Sequence, residues 1–166
     1  MGHSIEVFIG QTDQLKAGFE KIGHAHVLPL EQGFAMVPVT NELHDEIVVL
    51  FECPIGHPHE EFWKLTEGMA AFGRQLSDSM PVAYLETDYF GGAGTQAAIA
   101  WQDGRIILGP QKTENEKSLA AGAINKALQQ IGVARIEDKD AFDSLRLGRH
   151  RSNEAWLNPS MWDSGG

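Results

Sequence analysis

The chain has 166 residues and a formal net charge of −10. That length fits one domain, 1–166, with enough mass to bury a real core, and its ordinary apolar content excludes disorder. No apolar run approaches the ~20 residues needed to cross a bilayer, the first residues lack a basic then apolar leader pattern, and the single cysteine, Cys53, excludes an internal disulfide framework and a Cys-rich zinc site. Together these features predict a cytoplasmic protein. His3 is given no role.

The charge is unevenly spread. Residues 1–104 hold 4 Lys/Arg against 15 Asp/Glu, whereas residues 105–166 hold 9 against 8. The acidic first two thirds repel a phosphate backbone, so nucleic-acid binding is not expected. The same field favours a basic protein partner, or is simply a solvated surface.

In chain order, "SIEVFI" (4–9) alternates and reads as a strand. "TDQLKAGFEKIG" follows with Thr12 or Asp13 as cap and Leu15, Phe19 and Ile22 on one helical face. Two short apolar runs flank Glu31-Gln32-Gly33 as a hairpin, and Pro29 and Pro38 place them at a sheet edge. "TNELHDEIVVLF" is a second helix capped by Thr40 or Asn41. Phe62, Leu65, Met69, Phe72 and Leu76 predict a long amphipathic helix starting at His59 or Glu60. "VAYLETDYF", "TQAAIAW" and "RIILG" are strands, the last two joined by a hairpin turn at Asp103-Gly104. A helix is expected from Thr113, with Glu116 completing a capping box and Gly132 at the C-cap. From about 133 the tail is irregular, with one short helix at "DAFDSLRL". This order is not a βαβ alternation. It predicts an α+β fold: a mostly antiparallel sheet of five to six strands, with helices packed mainly on one face.

The chemistry concentrates in "YLETDYFGGAGTQAAIAW" (84–101). Gly92-Ala93-Gly94-Thr95-Gln96-Ala97 matches a dinucleotide-binding glycine pattern, but a strand rather than a helix is predicted to follow it, so no nucleotide site is expected. Glu86 and Asp88 project from one strand face beside Tyr84. Such a pair can hold different protonation states for acid–base work, or one acid can meet an arginine and the other cap the turn. Tyr89 and Phe90 stand at the strand end with Gln96 returning beside them, either as an interface anchor or as core closure. Cys53, His57, His59, Glu60 and Glu61 crowd one segment, but their spacing lacks a competent ligand set, so no metal is expected. Cofactors are likewise not expected. Arg146, Arg149 and Arg151 flank His150. They can receive an anionic partner, or Arg149 or Arg151 can reach Glu86, Asp88 or the glycine turn and pin the tail. Trp156 and Trp162 then hold the tail down.

Two segments, "ETDYFGGAGTQAAIAW" (86–101) and "LGRHRSNEAWL" (147–157), resemble segments of small bacterial immunity-type proteins of polymorphic toxin systems. The resemblance covers roughly a sixth of the chain and implies a non-enzymatic protein that binds and neutralises a cognate toxin. It assigns no contact residues. The expected binding residues are therefore Glu86, Asp88, Tyr89, Phe90, Gln96, Arg146, Arg149 and Arg151, and the partner another protein. The alternatives are a small hydrolase using Glu86/Asp88 or the His57/His59 loop, and a homo-oligomer paired through a strand edge.

Overall fold

The structure is a computed structural model that describes residues 3–51, 59–90, 93–114 and 122–158, with the side chains of Phe51, Phe90 and Ala93 outside the description. Six strands form one antiparallel sheet: β1 (Glu6–Gln11), β2 (Leu28–Pro29), β3 (Phe34–Pro38), β4 (Val82–Phe90), β5 (Ala93–Gln102) and β6 (Arg105–Glu114). Their spatial order is β2-β3-β1-β4-β5-β6, so the central strands β1 and β4 are the apolar runs that alternate over both faces. The class is α+β, as the order of elements predicts.

The helices divide between the two faces, where the sequence reading placed them mainly on one. Against the first face lie α1 (Thr12–Gly18), α2 (Asn41–Phe51) and α3 (Glu67–Leu76), burying Leu15, Leu43, Ile47, Met69 and Phe72 with Phe8, Tyr84, Ile99 and Trp101. Against the second lie α4 (Ala123–Gln130), α5 (Ala141–Ser144) and α6 (Asn153–Leu157), burying Ile124, Leu128, Leu145 and Trp156 with Val7, Ile9, Leu85 and Ala98. The physical reason is strand parity. Val7, Ile9, Ala83 and Leu85 are as apolar as Phe8, Val82 and Tyr84, and a sheet apolar on both sides must be covered on both.

Local signals account for most boundaries. The Thr40 hydroxyl accepts the Leu43 N–H at 3.1 Å and caps α2. Asp140 caps α5 by accepting the Asp143 N–H at 2.8 Å. Asp103 and Gly104 take φ of 53° and 75°, the twist a two-residue hairpin loop requires, and join β5 to β6. Pro29 lies in the edge strand β2, while β3 is second from the edge. Pro38 is tolerated there because Val39 N–H donates to Glu6 O at 2.8 Å, which makes the adjacent Val7–Pro38 pair the one without hydrogen bonds. Its nitrogen therefore faces the side on which β2, paired only to Ala35 and Met36, has already ended.

Four predicted helices are shorter than expected: α1 ends at Gly18, before Phe19 and Ile22, with Gln11 rather than Thr12 or Asp13 at its N-cap, α5 covers only Ala141–Ser144, and two more start late. The expected helix from Thr113 starts at Ala123, because β5 offers a long free edge that β6 occupies as far as Glu114, with Thr113 paired to Gln96. Glu116 lies outside the described residues. The Thr113 hydroxyl still serves α4, accepting the Ala123 N–H at 3.1 Å. The helix expected from His59 or Glu60 starts at Glu67; Phe62 and Leu65 are buried but precede it.

Helix α3 packs tightly over Trp101 at Gly73. A Cβ added at Gly73 would lie 2.5 Å from Cζ3 of the buried Trp101 ring. Gly73→Ala is therefore expected to destabilise the fold by about 1–3 kcal/mol, despite the better helix propensity of alanine. Gly23→Ala, whose Cβ meets nothing within 4 Å, is expected to be neutral or mildly stabilising. Urea melts of the two variants check the contrast.

Candidate functional site

Strand β4 carries the acids and the aromatics that the sequence singles out, and its alternation sends them to opposite faces. Tyr84 and Glu86 face the α1–α3 side. Thr87 and Tyr89 stand on alternating positions and border the α4–α5 side.

On the first face, β1 and β4 pair in a register that sets Glu6 directly opposite Glu86. Like charges in that position repel. The structure offsets this with donors. The Trp63 and Lys64 backbone N–H groups donate to the two Glu86 carboxyl oxygens at 2.9 and 3.0 Å, and the Tyr84 hydroxyl donates at 2.7 Å. The Trp63 indole N–H donates to Glu6 at 3.0 Å, and the Asn153 side-chain amide donates to its other oxygen at 3.2 Å. Glu86 is fully buried, with no surface open to a substrate. Burial pushes its pKa up to about 7; Glu6 adds to the rise, and the Tyr84, Trp63 and Lys64 donors oppose it. Burial, with Glu86 second, holds the Tyr84 phenol well above its ordinary value.

The acid that shares this environment is thus Glu6, not Asp88. Asp88 is exposed, one pleat beyond the covering segment. Capture of the Trp63 and Lys64 N–H groups by Glu86 is also what delays α3, since those donors are unavailable to an earlier helical turn.

On the second face, Gln96 spans two elements. Its amide Nε2 donates to the Tyr89 hydroxyl at 2.8 Å, and its Oε1 accepts the Ile124 N–H in the first turn of α4 at 2.9 Å. His3 joins the same region, exchanging backbone hydrogen bonds with Tyr89 and holding the Thr87 hydroxyl through Nδ1 at 2.8 Å. Gly94 is required by close backbone approach, since a Cβ there would meet Asp88 O within β4. Phe90 pairs with Ala93 at the end of the hairpin.

Arg149 and Arg151 do not reach Glu86 or Asp88, which corrects that part of the expected latch; Gly91 and Gly92 of the glycine turn lie outside the described residues. Arg146 lies 4.0 Å from Glu31, with both side chains largely exposed. The Arg149 guanidinium lies 5.0 Å from the centre of the Trp156 ring, a cation–π contact. Arg151 contributes its carbonyl, which accepts the Ser4 N–H at 2.8 Å. The tail is instead pinned by Asn153. Its Oδ1 accepts the Glu6 N–H at 3.1 Å, and its Nδ2 donates to the Glu6 and Val39 carbonyls, each at 3.2 Å. Neutral amide pairing fills the role because the buried acid is already satisfied by backbone donors. Trp156 is buried as a tail anchor; Trp162 lies outside the described residues.

Cys53 and His57 also lie outside the described residues, and among those described no three His, Cys, Asp or Glu side chains converge on a point fit for a metal ion. Glu6, Asn153 and His3 were not singled out by sequence reasoning. Glu6 interrupts an apolar strand, which is a signal for a functional or paired acid; Asn153 and His3 leave none.

Compared with protein-family models, curated proteins and solved structures, the chain finds no match.

The raised Glu86 pKa has a stability consequence. The folded state holds that proton more tightly than the unfolded chain, so stability falls as pH climbs from about 4.5 to about 7. The span corresponds to roughly 3 kcal/mol. Glu86→Gln is expected to remove this part of the slope, so that the stability of the parent relative to the variant declines across the window. Urea melts from pH 4 to pH 8 test it, and parallel curves would count against the assignment.

Proposed function

We propose that the chain works by binding another protein, as an immunity-type inhibitor that neutralises a cognate bacterial toxin. The observation that carries the reading is the end of α2. Val49 and Leu50 are 75% and 60% exposed, two large apolar side chains in succession, while Leu43 and Ile47 of the same helix are fully buried. Glu42 and Asp45 are exposed on the preceding turns. An apolar centre beside acids, in a chain of net charge −10, matches a partner with an apolar patch set among basic residues. The resemblance of 86–101 and 147–157 to immunity-type proteins supports the same reading.

The supporting chemistry is that of steering and anchoring. A negative field raises the encounter rate with a basic partner and is screened by salt. Desolvated apolar anchors then set the dissociation rate. The buried Glu86, fixed by Trp63 and Lys64, serves on this reading to hold the 59–66 segment beneath the surface rather than to act on a substrate.

The test screens the proteins encoded beside this chain for toxicity that its co-expression relieves, then titrates the one relieved as purified protein. Val49→Asp with Leu50→Asp is expected to weaken binding by at least ~100-fold, the size of a hot-spot loss of about 3 kcal/mol. The melting temperature should move little, since both side chains face solvent. Rescue of growth that persists unchanged in the double variant would refute this surface.

A further inference from the structure

Between the second face of the sheet and the start of α4 there is a recess of about 270 Å³. Its floor is Thr87 and Gln96 from the sheet with Ile124 and Asn125 from α4, all buried. Its rim is three partly exposed rings: His3, Tyr89 and Phe142. The His3 and Phe142 rings meet edge to face at 5.7 Å.

Protein interiors close over voids larger than a water molecule, because unfilled space forfeits packing. This one is held open by a strut. Gln96 keeps the first turn of α4 at a fixed distance from β4 through its bonds to Ile124 N–H and the Tyr89 hydroxyl. The strut fits only because residue 122 is glycine; a Cβ there would lie 2.5 Å from the Gln96 amide.

Most polar groups around the recess are engaged within the protein, while His3 Nε2 is buried without a hydrogen-bond partner. Gln96 is held at both ends, Thr87 is bonded to His3 and to Ile5 N–H, and Asn125 Oδ1 accepts the Phe142 N–H at 2.8 Å. What the walls present inward is therefore almost wholly carbon. No carboxylate, lysine or arginine lines the recess among the described residues. Burial keeps His3 below its ordinary pKa, with the Leu147 backbone opposing the shift and Arg151 adding to it, which favours the neutral ring.

We propose that this recess is a binding site for a small, uncharged aromatic molecule of one or two fused rings. Size sets the upper bound: an apolar cavity of ~150 Å³ holds a single benzene ring, and this recess is about 270 Å³. The aromatic preference follows from the rim, where three rings offer edge and face contacts to a planar guest. The lack of charge follows from a lining that has no carboxylate, lysine or arginine to serve as counter-ion.

The test titrates the intact chain with indole, and with benzylammonium as a charged ring of similar size, following the side-chain resonances of Tyr89, Ile124 and Phe142 by NMR. Indole should bind saturably and shift those three residues together. Ile124→Phe, which fills the floor, and Phe142→Ala, which removes one rim ring, should each weaken indole by at least tenfold. The second variant stands in if the first fails to fold. Benzylammonium should bind at least tenfold more weakly than indole, although non-specific attraction to an acidic surface would order the two the other way. Three results would overturn the proposal: no saturation up to the solubility of indole, shifts confined to residues elsewhere, or equal binding of the two probes.

Discussion

The alternation of β4 organises both halves of the molecule. Because it lies between β1 and β5 in the middle of the sheet, neither of its faces reaches solvent along its first half, and each side chain from Val82 to Thr87 must be satisfied inside. Even-numbered positions commit Tyr84 and Glu86 to the α1–α3 side, where an acid is tolerable only with several donors aimed at it. Odd-numbered positions commit Ala83 and Leu85 to the opposite core and bring Thr87 and Tyr89 to its rim. A slip of one residue in register would move Thr87 into the place of Glu86, opposite Glu6, and turn Glu86 towards α4, away from the Trp63 and Lys64 donors.

The energetic logic of the Glu6–Glu86 pair follows from this placement. Two acids directly across a strand pair are unfavourable, and burying one of them is worse. What compensates is that the donors are backbone N–H groups, which would themselves need partners where the chain enters α3. One carboxyl therefore satisfies the Trp63 and Lys64 amides and the Tyr84 phenol at once. The arrangement ties a segment with no regular structure to the centre of the sheet. Phe62 completes it by packing edge-on against Tyr84 at 5.5 Å.

Much of the fold was legible because it is encoded locally. The Asp103-Gly104 turn, the cap at Thr40, read as Thr40 or Asn41, and the shared face of Tyr84 and Glu86 all rest on neighbours within a few residues. What was not legible depends on partners distant in sequence. Glu6 opposes Glu86 only through register between strands 80 residues apart, and Asn153 meets Glu6 across 147 residues. The reach of arginines for acids is a sound local expectation, yet backbone donors arrived first at Glu86 and left the guanidinium of Arg149 to Trp156. At Thr113 a capping pattern competed with a free strand edge and lost, since a ladder of backbone bonds to β5 outweighs one cap of about 1 kcal/mol. For the site, Tyr89 and Gln96 do meet, because the hairpin sets Thr87 across from Gln96 and leaves Tyr89 on the diagonal.

The two ends of the described chain close over the same strand. His3 continues the β1 side of the ladder along β4 by pairing with Tyr89, and Ser4 pairs in parallel with Ser152, so the start of the chain is a bridge between the sheet and the tail. Asn153 then binds the Glu6 and Val39 backbones one step further along, and the Ser152 hydroxyl caps α6 by accepting the Ala155 N–H at 3.1 Å. Loosening the tail would therefore free Ser4, while His3 would stay bonded to Tyr89 and Thr87 and lose the Phe142 ring that meets it at the rim. Glu6 would lose the Asn153 amide at the same time and be left opposite Glu86 with the Trp63 indole as its remaining side-chain donor among those described. The tail thus acts on both faces: it frames the recess on one side by setting Phe142 against His3 and relieves the carboxyl pair on the other through Glu6.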